Sequence, residues 1–207
     1  MLNEKLSEYL DASRRCFDRI DSTRFPTLAP LADRMREDLQ DGKRPQIVFV
    51  CTHNSRRSHL AQLWTSAAAA GLGLPIDTWS GGTEATEFDR RAVACLQRAG
   101  FTIESAGDRS NAGYLVGISS TIAPTRCFSK IHDAAPNPSA DFIAVMVCNE
   151  ADRGCPHLVG ASSRFSVPFE DPKLSDDTPE ETSTYDERCR EIAREMLWVV
   201  ERAAAPD

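Results

Sequence analysis

Apolar residues along the chain recur with two periods, and the changes between them mark out the elements. Leu2, Leu6, Leu10, Phe17 and Ile20, then Leu28, Leu31, Met35 and Leu39, fall on helical spacings, which predicts two helices separated by Phe25-Pro26. Asp41-Gly42-Lys43-Arg44-Pro45 stops that pattern. The run Ile47-Val48-Phe49-Val50 then predicts a strand covered on both faces of a parallel sheet. Ser58 to Trp64 reads as helix, ending near Gly71-Leu72-Gly73, and Ile76 to Ser80 reads as a second strand closed by Gly81-Gly82. Phe88 to Ala99 is a predicted helix stopped by Gly100. Phe142 to Val147, the most apolar run, and Phe165-Ser166-Val167 are the remaining buried strands. Thr178-Pro179-Glu180-Glu181 has the form of a capping box with proline at the first helical position, and Tyr185, Cys189, Ile192, Met196 and Val199 continue it as a long amphipathic helix.

The alternation of strand and helix predicts an α/β fold with a doubly wound, mainly four-stranded parallel sheet flanked by helices. Residues 105–140 break the alternation. Tyr114 to Ile118 and Arg126 to Ile131 look like short strands and Pro136-Asn137-Pro138 like a loop, so an inserted β arm is expected there, with structural covering as its role. Residues 1–45 read as an N-terminal helical extension, a cover for the core or for a homodimer face, and 46–207 as the catalytic domain.

Composition narrows the class of partner. A net charge of −7 and a pI near 5.2 argue against nucleic acid or an anionic membrane, so any anion site must be local. Met1 to Glu8 lacks the apolar core of a signal peptide, and no apolar run approaches the ~20 residues of a membrane span, which makes a cytoplasmic location the expectation. Seven cysteines is an odd number for a disulfide scaffold, so some of these thiols are expected to do redox chemistry.

The candidate chemistry lies between the first strand and the helix after it, in Cys51-Thr52-His53-Asn54-Ser55-Arg56-Arg57-Ser58. A loop entering a helix points several backbone N–H groups at one spot and adds the positive end of the helix dipole, forming a cradle for an oxyanion. Arg57 adds a planar fork for two of its oxygens. The same field stabilises a thiolate at Cys51, Asn54 suits the left-handed turn, and the Ser58 hydroxyl can donate to the sulfur. Thr52, His53, Asn54, Ser55, Arg56, Arg57 and Ser58 are the expected oxyanion-binding residues, with Cys51 as nucleophile. Cys148 ends the strand at 142–147, so a doubly wound sheet puts it on the same edge as Cys51; Cys155 follows seven residues later. The spacing alone also admits an accidental pair or two zinc ligands with His157, but a zinc site normally shows a complete set of four ligands. Cys16, Cys95, Cys127 and Cys189 read as packing residues.

The stretch from Cys51 to Ser58 resembles the active-site loop of the low-molecular-weight protein tyrosine phosphatases and of their relatives, the thioredoxin-coupled arsenate reductases, both of which place it after the first strand. Cys148-Asn149-Glu150-Ala151-Asp152-Arg153-Gly154-Cys155-Pro156 resembles the resolving-cysteine segment of the reductases, a pair that the phosphatases of this fold lack. Phe169-Glu170-Asp171-Pro172 matches the Asp-Pro general acid that both families place after the fourth strand. Where the phosphatases often continue with two tyrosines, this chain has Lys173-Leu174, which favours a small inorganic oxyanion. The reductases often carry a cysteine where Arg56 stands. The resemblance implies an arsenate reductase with Asp171 as acid, a Cys51/Cys148/Cys155 disulfide relay, thioredoxin as reductant, and no metal or cofactor. Hydrolysis of a phosphomonoester by Cys51, Arg57 and Asp171 is the alternative, and an oxyanion or redox sensor is a third.

Overall fold

The computed structural model describes residues 1–108, 110–155 and 157–205. In chain order its elements are α1 (Glu4–Arg14), α2 (Phe25–Gln40), β1 (Gln46–Cys51), α3 (Arg57–Leu72), β2 (Asp77–Gly82), α4 (Arg90–Ala99), β3 (Thr102–Ser105), β4 (Tyr114–Gly117), β5 (Thr125–Cys127), β6 (Phe142–Met146), α5 (Asn149–Gly154), β7 (Ala161–Ser166) and α6 (Glu181–Ala204). The main sheet is parallel throughout, in the order β2-β1-β6-β7, as the strand and helix alternation predicts. Apolar Ile47 to Val50 and Phe142 to Met146 are fully buried because both lie in the middle of that sheet, with helices over them. Strand order turns at β1, which pairs with β2 on one side and β6 on the other, so the crevice beyond the carboxyl ends of β1 and β6 is where an α/β sheet places its ligand.

The long helix α6 packs against α1, α2, α3 and α4. Leu6, Leu28, Leu31 and Met35 of the N-terminal helices are buried in the same core as Trp64 of α3 and Met196 of α6, and Tyr9 stacks on Trp64 with ring centroids 4.8 Å apart. Arg24 forms an ion pair with the buried Glu195 of α6 at 2.7 Å. Among the described residues no helix is long and apolar enough to cross a membrane.

Two sequence expectations are corrected, and one strand goes unread in the sequence. Phe25-Pro26 does not separate the first two helices but opens α2, where proline's missing N–H costs nothing; short 3₁₀ turns at Phe17–Arg19 and Ser22–Arg24 make the break. Thr178 does not cap α6. Its hydroxyl donates to the Ser175 carbonyl at 2.8 Å, and the helix begins at Glu181, whose carboxylate accepts the Asp177 N–H at 2.7 Å. Within residues 105–140, β4 pairs antiparallel with β5, and β3, which precedes them and is too short for its alternation to stand out in sequence, adds a third strand in the order β3-β4-β5. The chain returns from this small sheet through a parallel bridge between Gly82 and Ile131: Gly82 donates to the Lys130 carbonyl and His132 donates to the Gly82 carbonyl, both at 2.9 Å. A Cβ at Gly82 would stand 2.3 Å from the Glu84 carbonyl oxygen and 2.6 Å from that of Thr52, so glycine is required where the arm, β2 and the loop after β1 meet.

Candidate active site

Cys51 is the last residue of β1 and is buried. The loop after it is held from outside by its carbonyls. Those of Cys51 and Thr52 accept the N–H groups of Thr83 (3.1 Å) and Glu84 (2.8 Å), that of His53 accepts the Ser129 hydroxyl (2.8 Å), and that of Ser55 accepts the Asp89 N–H (3.0 Å). Among the described residues no acceptor takes the backbone N–H groups from Thr52 to Arg57. The turn is made possible by Asn54, which is left-handed at φ 45°. The helix that follows has no side-chain cap, so its first-turn donors also remain for an anion.

The asparagine side chain fixes the thiol's environment as well. Asn54 Nδ2 donates to Ser58 Oγ at 2.9 Å while its Oδ1 accepts the Lys130 N–H at 2.9 Å. Because Ser58 Oγ already receives that hydrogen, its own proton is left for Cys51 Sγ, 3.1 Å away. A hydrogen bond to the charged form of a thiol favours that form. Arg57, at the start of α3, is buried; its Nη2 donates to Asp171 Oδ2 at 2.6 Å and its Nη1 to the Phe169 carbonyl at 3.1 Å. The loop after Cys51, the guanidinium and the Asp171 carboxylate are therefore together. Asp171 is oriented by its own turn, accepting the Lys173 N–H at 3.1 Å.

Two adjacent arginines part company here. Sequence reading counts Arg56 among the oxyanion ligands, but its side chain turns away from the loop: Nε donates to the Tyr185 hydroxyl at 2.7 Å and Nη2 to Asp89 at 2.8 Å and Asp176 at 3.3 Å. Burial works against its charge, yet Asp89, Tyr185 and Asp171 together raise its pKa. Tyr185 donates to Asp176 at 2.7 Å, and burial with that partner pushes the phenol pKa up. The cluster ties the loop to the turn after Asp171 and to α6. His53 also points outward, with Nε2 3.6 Å from Glu84, so of Arg56 and His53 only the backbone belongs to the cradle.

Cys148 follows β6 and is fully buried. The Val147 N–H donates to the Val50 carbonyl at 2.8 Å, which sets the residues after β6 beside the end of β1, and Cys148 Sγ lies 3.5 Å from Thr52 Oγ1. Its sulfur also accepts the Ala151 N–H at 3.4 Å. Glu150 extends over the same mouth, 3.9 Å from Arg57, and a backbone hydrogen bond followed by that guanidinium and the Cys148 thiol hold its carboxyl below the usual range. Cys155 stands at the far end of α5, partly exposed; Pro156, which closes the predicted segment, lies outside the described residues. The four other cysteines are also free thiols: Cys95, Cys127 and Cys189 are buried, and Cys16 is partly exposed beside the N-terminal helices.

Residues 46–112 match the family of low molecular weight phosphotyrosine protein phosphatases. An arsenate reductase of Bacillus licheniformis is 28% identical over 151 residues, 73% of this chain and 91% of that protein, and arsenate reductase 2 of Staphylococcus epidermidis is 28% identical over 61% of this chain and 77% of its own. The crystal structure of an arsenate reductase from Archaeoglobus fulgidus superposes with a TM-score of 0.51 at 20% identity, covering 75% of this chain and 98% of that one, and shares its fold. The chain has the fold of the low-molecular-weight phosphatases. It is an enzyme on that fold.

Sequence reasoning missed Thr52 as the neighbour of Cys148, the Arg56 cluster, and the buried Lys130 whose backbone holds Asn54. Burial pushes the Lys130 ammonium pKa down to about 8, and its Nζ lies over the Phe128 ring at 5.0 Å. No local signal marks these residues, because each reaches the loop across at least 75 intervening residues or through the inserted arm.

Proposed function

We propose that this enzyme reduces arsenate to arsenite through a relay of three thiols, with thioredoxin as the reductant. The observation that carries the reading is the place of Cys148: its sulfur adjoins Thr52, the residue directly after Cys51, at the one sheet edge where the oxyanion cradle opens. Two relatives that are arsenate reductases support it, and the pair Cys148 and Cys155 would be idle in a phosphatase.

Arsenate enters the cradle, accepts hydrogen bonds from the N–H groups of Thr52 to Ser58, and takes the Arg57 fork in place of Asp171 and the Phe169 carbonyl. Freed from Nη2, the Asp171 carboxylate takes a proton from the entering hydrogen arsenate and passes it to the departing oxygen. Cys51 thiolate attacks arsenic, an As–S bond forms, and one oxygen leaves as water. Cys148 thiolate then attacks Cys51 Sγ. The S–S bond forms, the As–S bond breaks, and its electron pair stays on arsenic, which leaves as arsenite, two electrons reduced. Cys155 thiolate attacks Cys148, Cys51 departs as thiolate, and the dithiol of thioredoxin reduces the Cys148–Cys155 bond. No step requires a metal.

The last exchange has a conformational requirement. Cys148 and Cys155 flank α5 seven residues apart, and a helix rising ~1.5 Å per residue holds them about 10 Å apart, beyond the roughly 4.4–6.8 Å between Cα atoms that a disulfide spans. α5 must therefore unwind, and a six-residue helix has little cooperative resistance to that.

The test is arsenite release by the full chain with thioredoxin and its reductase as electron supply, beside hydrolysis of an aryl phosphate. Steady arsenite release that stops when thioredoxin is withheld is the expected outcome. Fast aryl phosphate turnover with no arsenite would replace this reading with the phosphatase one, and neither activity would leave a sensor.

A further inference from the structure

Among the described residues the Cys155 thiol has one close side-chain partner outside its own segment. His132 Nε2 lies 3.9 Å from Cys155 Sγ, and His132 belongs to the return limb of the inserted arm, not to the loop or to the cysteine segment. Several independent contacts deliver it there. Its N–H is held by the Gly82 carbonyl at 2.9 Å and its own carbonyl accepts Asn137 Nδ2 at 2.9 Å. Its backbone lies flat on β2, where a Cβ at Gly81 would stand 2.3 Å from His132 Cα, so only glycine permits the approach. The backbone of His132 is thus fixed on the same sheet edge that carries Cys51, and its ring is aimed at the end of α5.

We infer that His132 is the proton acceptor of the third step, the group that turns the Cys155 thiol into the attacking thiolate. The inference rests on the relay proposed above. In that step the Cys155 proton passes to His132 Nε2, Cys155 Sγ bonds to Cys148 Sγ, and the Cys51–Cys148 bond breaks with its electron pair on Cys51; no electrons enter or leave. An imidazole is suited to the task because it titrates near neutral pH, below the range of an ordinary thiol. The charged groups on the surrounding elements do not compete for it. Arg164 of β7 is spent on the carbonyls of Asp152 (2.7 Å) and Cys155 (3.2 Å) and on the Asp152 carboxylate (2.6 Å). Arg153, His157 and Asp133 are chain neighbours, and among the described residues only the His132 ring reaches the thiol. The arm then has a chemical use besides covering: it carries the base for the last thiol of the relay.

The experiment is the pH dependence of iodoacetamide alkylation at Cys155 in the reduced full chain, read by peptide mass spectrometry, with Cys16, also partly exposed, as the internal reference. In the unsubstituted protein the Cys155 rate should rise to its plateau about one pH unit below that of an ordinary thiol near ~8.5. His132→Gln keeps a polar atom in place but cannot take the proton, so its Cys155 rate at pH 7 should fall about tenfold and the inflection should move up to the ordinary thiol range. Cys16 should not change. An ordinary inflection at Cys155 in the unsubstituted protein overturns the inference even if the variant does not fold, and so does an equal change at Cys16. Neither readout uses arsenate, so a failure to release arsenite would strike the reductase reading and leave this result to stand or fall separately.

Discussion

Asn54 does three things that no other residue in the loop could do together. Its left-handed backbone turns the chain, its amide donates to Ser58 so that the hydroxyl proton is directed at Cys51, and its carbonyl oxygen takes the Lys130 N–H from the arm. The same turn decides between two neighbouring arginines: Arg57 faces Asp171, and Arg56 is sent into the cluster with Tyr185, Asp89 and Asp176. At this scale the account turns on Asp171. Asp171→Asn keeps the size of the side chain but has no proton to give, and turnover of arsenate should slow by about 10²–10⁴-fold with arsenate binding retained. Pre-steady-state measurement of adduct formation checks it; an unchanged rate would mean that another group protonates the leaving oxygen. The placement of Cys51 and Arg57 was legible because strand, loop and helix start are contiguous in sequence. Which arginine faces the anion was not, because it depends on a backbone angle at Asn54.

Among the elements, α5 is the one that must change shape. It has six residues, ends in Gly154, and makes its tertiary contacts mainly with β1 and β6. A methyl group at Gly154 would meet nothing within 4 Å, so Gly154→Ala is sterically free and acts through helix propensity alone, worth up to ~1 kcal/mol. It should hold α5 more firmly and slow steady-state arsenite release by roughly threefold while leaving the first arsenite per site unaffected. Rapid-quench measurement of the burst and the steady rate separates the two; slowing of the burst itself would contradict a conformational change confined to the third thiol. The arm shows the limit of reading elements from sequence. Two of its three strands were visible as short apolar runs, but its docking rests on the Gly82–Ile131 bridge across about 50 residues, and so does the placement of His132. The α6 start was misread for a related reason: Thr178 spends its hydroxyl proton on the Ser175 carbonyl, and the helix begins three residues later.

For the whole molecule, the order β2-β1-β6-β7 brings Thr52, directly after Cys51, and Cys148 to one edge although 96 positions separate them in sequence. That much followed from counting strands, because parallel strands joined through helices end on one side of the sheet. The N-terminal helices were legible as helices, but not their close packing on α3 and α6, where Tyr9 stacks on Trp64 of α3 and Arg24 pairs with Glu195 of α6. The assembly brings two thiols, a guanidinium and a carboxylate to one cleft with a third thiol across α5, and the central claim is that the thiols work in sequence. Stoichiometry in Cys155→Ser tests it most directly. With Cys148 still able to resolve the Cys51 adduct, this variant should release about one arsenite per active site and stop, and mass spectrometry under non-reducing conditions should find Cys51 joined to Cys148. Continued turnover, or free Cys51 and Cys148 after arsenate treatment, would contradict the relay.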